Sequence, residues 1–287
     1  MSLRTLLVPL TGTDSDAAAL RAALVAARPF SAHVQGLYVR IDARDAVPLL
    51  GDGMSGAVVE DIMRAAEADS EAHAIRARET FRQIIAQNRI LEVKAPLAVS
   101  HQVTATWSEE TGRDEEVIAQ EGRLHDLVVF ANAPHGGDQR LLLEAALLGT
   151  ARPLLLAPHH VPSTIGARVA LAWNGGVESA RAVAGAMPFL EQAQAVHILT
   201  AQTAVTNAEA AERLAAYLAW HGVRPEISTI RPGAEVVGAA LLEQAARLDA
   251  DLLVMGGYGH SRMRELILGG VTRHVLGHAR LPVLMAH

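Results

Sequence analysis

The sequence predicts an α/β fold of two tandem repeats, each an open five-stranded parallel sheet with helices on both faces. Three observations predict it. Short apolar runs, too short for helices, alternate along the whole chain with stretches of helical period. The same words occur twice: HDLVVFAN at 125–132 matches ADLLVMGG at 250–257, and GTARPLLLAPH at 149–159 matches GHARLPVLMAH at 277–287. Half of the residues are hydrophobic while only 3% are aromatic, so Leu, Val and Ala must build the core. That composition suits α/β layers better than an aromatic-rich sandwich.

Taken in order, residues 4–10 read as a strand, and Thr11-Gly12-Thr13-Asp14-Ser15 turns into a helix beginning near Asp16. Ala19, Ala22, Ala23 and Ala26 keep its spacing up to Pro29. Residues 33–39 are a second strand, and 41–56, with Pro48 and three glycines, a loop. A long helix follows over 58–87, with Val59, Ile62, Met63 and Ala66 on one face and charges opposite. A third strand is expected within 99–107, a helix over 115–121, a strand at 127–131, a helix at 141–148 and a strand at 153–157.

Residues 158–166 (PHHVPSTIG) form the best linker, separating a domain at 1–158 from one at 167–287. The order then begins again. Residues 168–173 are a strand, Asn174-Gly175-Gly176 a turn, and Ala180, Val183, Ala184 and Met187 a helix face. A strand at 196–200 precedes a helix marked by Ala211, Leu214, Ala215 and Leu218, with Asn207 as its cap. A strand at 226–230 leads to a helix marked by Val237, Ala240, Leu241, Ala245 and Leu248. Strand 251–255, a glycine loop, a short polar helix, a helix over 271–277 closed by Gly277 and a strand at 282–286 complete the chain. The near-continuous apolar strands imply sheets covered on both faces. Each half ends in an apolar strand that, left exposed, would invite pairing.

A net charge of −6 argues against non-specific nucleic-acid binding, which needs a basic face. With no cysteine there is neither a disulfide frame nor thiol chemistry, in keeping with a reducing, cytoplasmic setting. No signal peptide or membrane span is expected, since the richest later stretch, 141–158, is broken by Glu144 and Arg152.

The chemistry concentrates at the end. Gly256, Gly257 and Gly259 follow a buried strand, and Gly269 and Gly270 open a helix with Val271 and Thr272. A glycine loop before a helix N-terminus offers unpaired N–H groups and a positive dipole end, which suit phosphate. The spacing of Gly256, Gly259 and Gly269, G-x2-G-x9-G, resembles the nucleotide signature of the universal stress protein family. The family usually has Ser or Thr where Gly270 stands, and Asp where Asn174 stands at the end of the first strand. Thr272 falls where the family often has a hydroxyl.

The resemblance covers both halves. It implies ATP as the ligand, alone or with Mg²⁺, with adenine and ribose near the first two strand ends and phosphates on the glycine loop. Asn174 can give and take hydrogen bonds but brings no charge, so binding is favoured over metal-assisted chemistry. The resemblance also implies pairing through the last strands, here an intramolecular pseudo-dimer, with a homodimer as a further expectation. The first half has Thr11 in the acid's place and Ala131-Asn132-Ala133-Pro134 in place of the glycine loop, and reads as a degenerate copy without the nucleotide motif.

Other patterns were weighed. Asn174-Gly175-Gly176-Val177-Glu178-Ser179 is similar to the loop of ATP pyrophosphatases but lacks its first Ser and its Asp. His274 and His278 have zinc-pair spacing without a third ligand. Arg262, Arg264 and Arg273 are either phosphate neighbours or solvated helix faces. With no catalytic residue evident, the chain is expected to be a nucleotide-responsive stress-response binding protein rather than an enzyme. The alternatives are an ATP-using enzyme of the pyrophosphatase-loop type and a structural dimerisation module with an empty site.

Overall fold

The computed structural model describes residues 2–40, 56–95, 101–132, 137–201, 208–231, 236–257 and 270–287. The first half runs β1 (Thr5–Leu10), α1 (Asp16–Ala27), β2 (His33–Arg40), α2 (Gly56–Gln87), β3 (Leu91–Glu92), β4 (Thr104–Thr111), α3 (Asp114–Gly122), β5 (Leu127–Ala131), α4 (Gly137–Gly149) and β6 (Leu154–Ala157). The second runs β7 (Arg168–Ala172), α5 (Val177–Gln192), β8 (Ala195–Ala201), α6 (Ala208–Ala219), β9 (Glu226–Ile230), α7 (Val237–Arg247), β10 (Leu252–Gly256), α8 (Gly270–His278) and β11 (Val283–Ala286).

All the strands lie in one sheet, ordered β3-β4-β2-β1-β5-β6-β11-β10-β7-β8-β9. Within each half the pairing is parallel, and the switch point lies between the first strand (β1 or β7) and the fourth of the repeat (β5 or β10). The halves meet edge to edge where β6 and β11 pair antiparallel, Leu155 opposite Leu284. Both terminal strands are wholly buried, so each apolar edge is covered by the other half. The continuous sheet divides the core into two layers. Leu20, Phe81, Val183 and Leu214, from α1, α2, α5 and α6, pack on one face. Ile118, Leu147, Leu241 and Val275, from α3, α4, α7 and α8, pack on the other.

The repeat has a physical basis at matching aspartates. Asp126 accepts hydrogen bonds from the backbone N–H groups of Arg4 and Thr5 at 2.8 and 3.0 Å. Asp251 accepts them from Gly166 and Arg168 at 3.0 and 2.9 Å, and from the Thr164 hydroxyl. Each carboxylate, sitting just before the repeat's fourth strand, clamps the start of its first. The linker is thereby tied down at its end.

Several expectations are corrected. The third strand occupies Thr104–Thr111 rather than 99–107, its polar TATWSEET run giving little apolar signal. The two-residue β3 beside it was not foreseen, because so short a strand leaves no periodicity. On α5 the buried face is Ser179, Ala182, Val183, Ala186, Met187 and Leu190, while Ala180 and Ala184 are exposed. The abundance of alanine in that helix blurs the phase of the apolar stripe. Gly277 does not close α8, which continues to His278 with Ala279 still donating to the carbonyl of Val275. On α2 the predicted face at Val59, Ile62, Met63 and Ala66 is only half-buried; Ala74, Ala77, Phe81 and Ile84 carry the core contact. The loop at 41–55, the Asn207 cap, the 133–136 loop with Pro134, and the polar helix before Gly269 lie outside the described residues.

Candidate functional site

In open α/β sheets, ligands bind beyond the carboxyl ends of the strands at the switch point. This chain has two such crevices, and the same turn begins each. After β1, Gly12 turns the chain with φ +73°; after β7, Gly175 does so with φ +75°. Both values lie in the left-handed region that glycine reaches cheaply.

In the C-terminal crevice, Asn174 is exposed and its Oδ1 accepts the N–H of Gly176 at 2.9 Å, closing an Asx turn. Gly176 then caps α5. The first turn of α5 settles directly on the end of β10: a Cβ added to Gly256 would lie 2.6 Å from the Ser179 nitrogen and 2.8 Å from the Glu178 carbonyl carbon. Only glycine permits that approach, so the dipole end of α5 sits beside the strand end. Gly257 donates its N–H to Ala286 at 2.8 Å, and its carbonyl faces Nδ1 of His287 at 3.2 Å. Gly270 opens α8 at an exposed position where an added Cβ meets nothing within 4 Å among the described residues. Val271 is half-buried and Thr272 is buried in the same first turn. Of the predicted site residues, Asn174, Gly256, Gly257, Gly270, Val271 and Thr272 are thus placed at strand ends or in the first turn of α8; Gly259 and Gly269 lie outside the described residues.

The N-terminal crevice is filled. A Cβ added at Gly12 would collide with the carbonyl oxygen of His73, because α2 runs across the turn. Arg76 of α2 donates from Nε to the Gly12 carbonyl at 3.0 Å. Beneath, the buried carboxylate of Asp16 accepts the N–H groups of Thr11 at 3.0 Å and Gly12 at 2.8 Å. Those donors, which would otherwise face an anion, are spent on the protein's own carboxylate. Burial pushes the Asp16 carboxyl above its usual value, and the hydrogen bonds from Thr11 and Gly12 only partly offset it.

Asp114, the first residue of α3, adds a second acid, pushed up to about 6 by burial and by neighbouring Glu115. Its Oδ1 is buried without a hydrogen-bond partner among the described residues. The C-terminal counterparts are Ser179 and Val237, both uncharged. Neither acid was singled out from sequence, although their mismatch with Ser179 and Val237 can be read once the repeats are aligned.

The remaining candidates settle plainly. The Ser179 hydroxyl donates to the Gly176 carbonyl at 2.8 Å, a helix-start bond that occupies the pyrophosphatase-like serine. His274 and His278 stack at 4.2 Å, and His274 packs over Gly238 of α7. Among the described residues, no group of three or more His, Cys, Asp or Glu side chains could hold a metal ion. Arg273 is exposed, and Arg262 and Arg264 lie outside the described residues. No described helix is long and apolar enough to cross a membrane.

With this geometry in place, comparison with known proteins is decisive for one half. Residues 177–287 match the model of the universal stress protein family. Residues 177–287 thus carry a universal stress protein domain. The match starts after β7, so Asn174 lies outside it. The fold of the whole chain is shared with a universal stress protein from Archaeoglobus fulgidus DSM 4304, at 14% identity and a TM-score of 0.63, covering 98% of this chain and 97% of that one. It is shared also with a putative universal stress protein from Pseudomonas aeruginosa UCBPP-PA14, at 15% identity and a TM-score of 0.55, covering 98% and 92%. A functionally unknown protein from Pseudomonas aeruginosa PAO1 is similar at 15% identity and a TM-score of 0.54, again covering 98% and 92%. At such identities the likeness speaks for the fold alone. No curated protein matches the sequence.

Proposed function

We propose that the chain binds one adenine nucleotide, ATP, in the crevice of its universal stress protein domain, and works as a nucleotide-responsive stress protein rather than an enzyme. The observation that carries this is the contrast between Gly12 and Gly175: the same turn, roofed by α2 backbone in one half and, among the described residues, uncovered in the other. The G-x2-G-x9-G spacing of Gly256, Gly259 and Gly269 occurs only on the open side. The residues present fit a nucleotide. Gly256 lets the N-terminus of α5 approach β10, and Gly270, Val271 and Thr272 begin α8 against the first turn of α7, so helix dipole ends are offered at the carboxyl ends of the strands. Neither Asp16 nor Asp114 has an acidic counterpart there, so the turn's amides are not taken by a buried carboxylate, although Glu178 stands in the first turn of α5.

On this reading the N-terminal domain, 1–158, is a scaffold that covers the β11 edge, and the C-terminal domain, 167–287, holds the ligand. Mg²⁺, where it accompanies ATP, would be carried by phosphate oxygens and water, since Asn174 offers no carboxylate. Turnover is expected to be slow or absent, because the Ser179 hydroxyl is committed to the Gly176 carbonyl. Mass spectrometry of nucleotide released from the purified protein tests the proposal. Adenine nucleotide at close to one per chain supports it, and protein that neither carries nor takes up ATP contradicts it. Rapid Mg²⁺-dependent hydrolysis lost in Asn174→Ala would favour the enzyme.

A further inference from the structure

Aromatic side chains are scarce here, yet two of the three tryptophans and one of the three tyrosines gather around α6. Trp173 directly follows β7, Tyr217 sits late in α6, and Trp220, just beyond it, is 90% exposed. Between α5 and α6 lies a cavity of about 470 Å³, whose walls include Trp173, Tyr217, Val183, Leu214 and Arg213. That volume falls in the range of small-molecule sites, roughly 300–1,000 Å³.

The wall is preformed, because Nε1 of Trp173 donates to the carbonyl of Ala210 at 3.0 Å and fixes the indole. Room for a ligand comes from small residues. Ala180 and Ala210 line the groove where longer side chains would close it, and Gly175 at its mouth has no described residue within 4 Å of an added Cβ. Arg213 makes no ion pair or hydrogen bond among the described residues, in a chain whose net charge is −6. An arginine beside two aromatic faces can stack on a flat ring and pair with its acid group.

The groove shares its mouth, at Gly175, with the nucleotide crevice but runs from there down between α5 and α6. Its helices, α5 and α6, pack on one face of the sheet, whereas α8, which carries Gly270 and Thr272, packs on the other. Val183 lies six residues beyond Val177, about 9 Å down α5 from its start. We infer that this groove binds a flat aromatic molecule bearing one carboxylate, its ring against Trp173 and Tyr217 and its acid group on Arg213. The site gives the C-terminal domain a second ligand, independent of the nucleotide.

The test uses 1-naphthoate as probe, with uncharged 1-naphthamide as control, titrated into the full chain and followed at the Trp173 indole N–H by NMR. Saturable naphthoate binding that ATP does not displace is expected. Arg213→Gln should weaken naphthoate roughly five-fold, the most an exposed ion pair usually contributes, and leave naphthamide unchanged. Ala180→Leu, a change at an exposed position, should abolish binding of both while leaving the melting temperature unaltered. Trp220→Phe, outside the groove, should leave both intact. The inference is overturned by absence of saturable binding at millimolar probe, by binding that survives Ala180→Leu, by equal loss of both probes in Arg213→Gln, or by competition with ATP. The last outcome would assign the groove to the nucleotide crevice, whereas release of bound nucleotide from the purified protein is measured separately and stands or falls on its own.

Discussion

Gly12 and Gly175 turn the chain at corresponding points with nearly equal φ, +73° and +75°, yet their surroundings differ completely. One touches the backbone of α2 and holds its amides toward the Asp16 carboxylate. The other meets nothing among the described residues and leads into a helix that rests on Gly256. The difference lies in what covers the crevice, not in the turn itself. A repeat can keep its sheet, its turn and its aspartate clamp, and still be unfit for phosphate once a long helix crosses the turn and a buried carboxylate takes its amides.

The largest effect should come from breaking the shared sheet. Leu284 is fully buried opposite Leu155, and Leu284→Lys would place a charge in that seam. A loss of roughly 4 kcal/mol or more is expected, with the halves separating and exposing apolar surface, followed by denaturant unfolding and dye binding. Unchanged stability would mean that the halves do not depend on this pairing.

The comparison itself is sharpened by a matched pair. Gly12→Ala drives a Cβ into the His73 backbone and should cost on the order of 3 kcal/mol; Gly175→Ala carries only the positive-φ strain, about 1 kcal/mol. Equal losses in chemical denaturation would erase the distinction between roofed and open turns.

Asp114 offers a test through pH. Its folded pKa, about 6, lies above the usual 3.8, so the folded state holds the proton more tightly than the unfolded chain. Its contribution therefore favours folding below about pH 4 and is lost as pH rises through 6. Asp114→Asn should stabilise the protein at pH 7 by on the order of 1 kcal/mol, discounted for partial exposure, and change little at pH 4. Melting curves at the two pH values check this, and an equal effect at both would refute it.

The smallest effect concerns the open crevice. Gly270 has room for a side chain, so Gly270→Ser should leave stability within about 0.5 kcal/mol. If the added hydroxyl reaches phosphate, ATP should bind about five-fold tighter in calorimetry, as one neutral hydrogen bond allows. Weaker binding would argue that the first turn of α8 does not face phosphate.

Much of this architecture was legible because it rests on apolar runs and repeated words. Strands such as Leu127–Ala131 and Glu226–Ile230 were bounded to the residue, and the HDLVV and ADLLV segments announced the repeat before the clamp at Asp126 and Asp251 was seen. The polar strand Thr104–Thr111 and the alanine-rich α5 were blurred, because neither carries a clean contrast between faces. For the site, the spacing of glycines marked the second half as the one to watch. What the sequence could not disclose was the filling of the first crevice. His73 and Gly12 are far apart in the chain, and no local pattern announces that a helix will cross a turn.

Calorimetric titration of the full chain with ATP tests the central claim most directly, run beside the Gly259→Val variant, in which a β-branched side chain blocks backbone approach to phosphate. The account predicts a stoichiometry close to one in the unaltered protein and no measurable binding in the variant. Two equivalent sites, or an affinity unchanged by Gly259→Val, would contradict it.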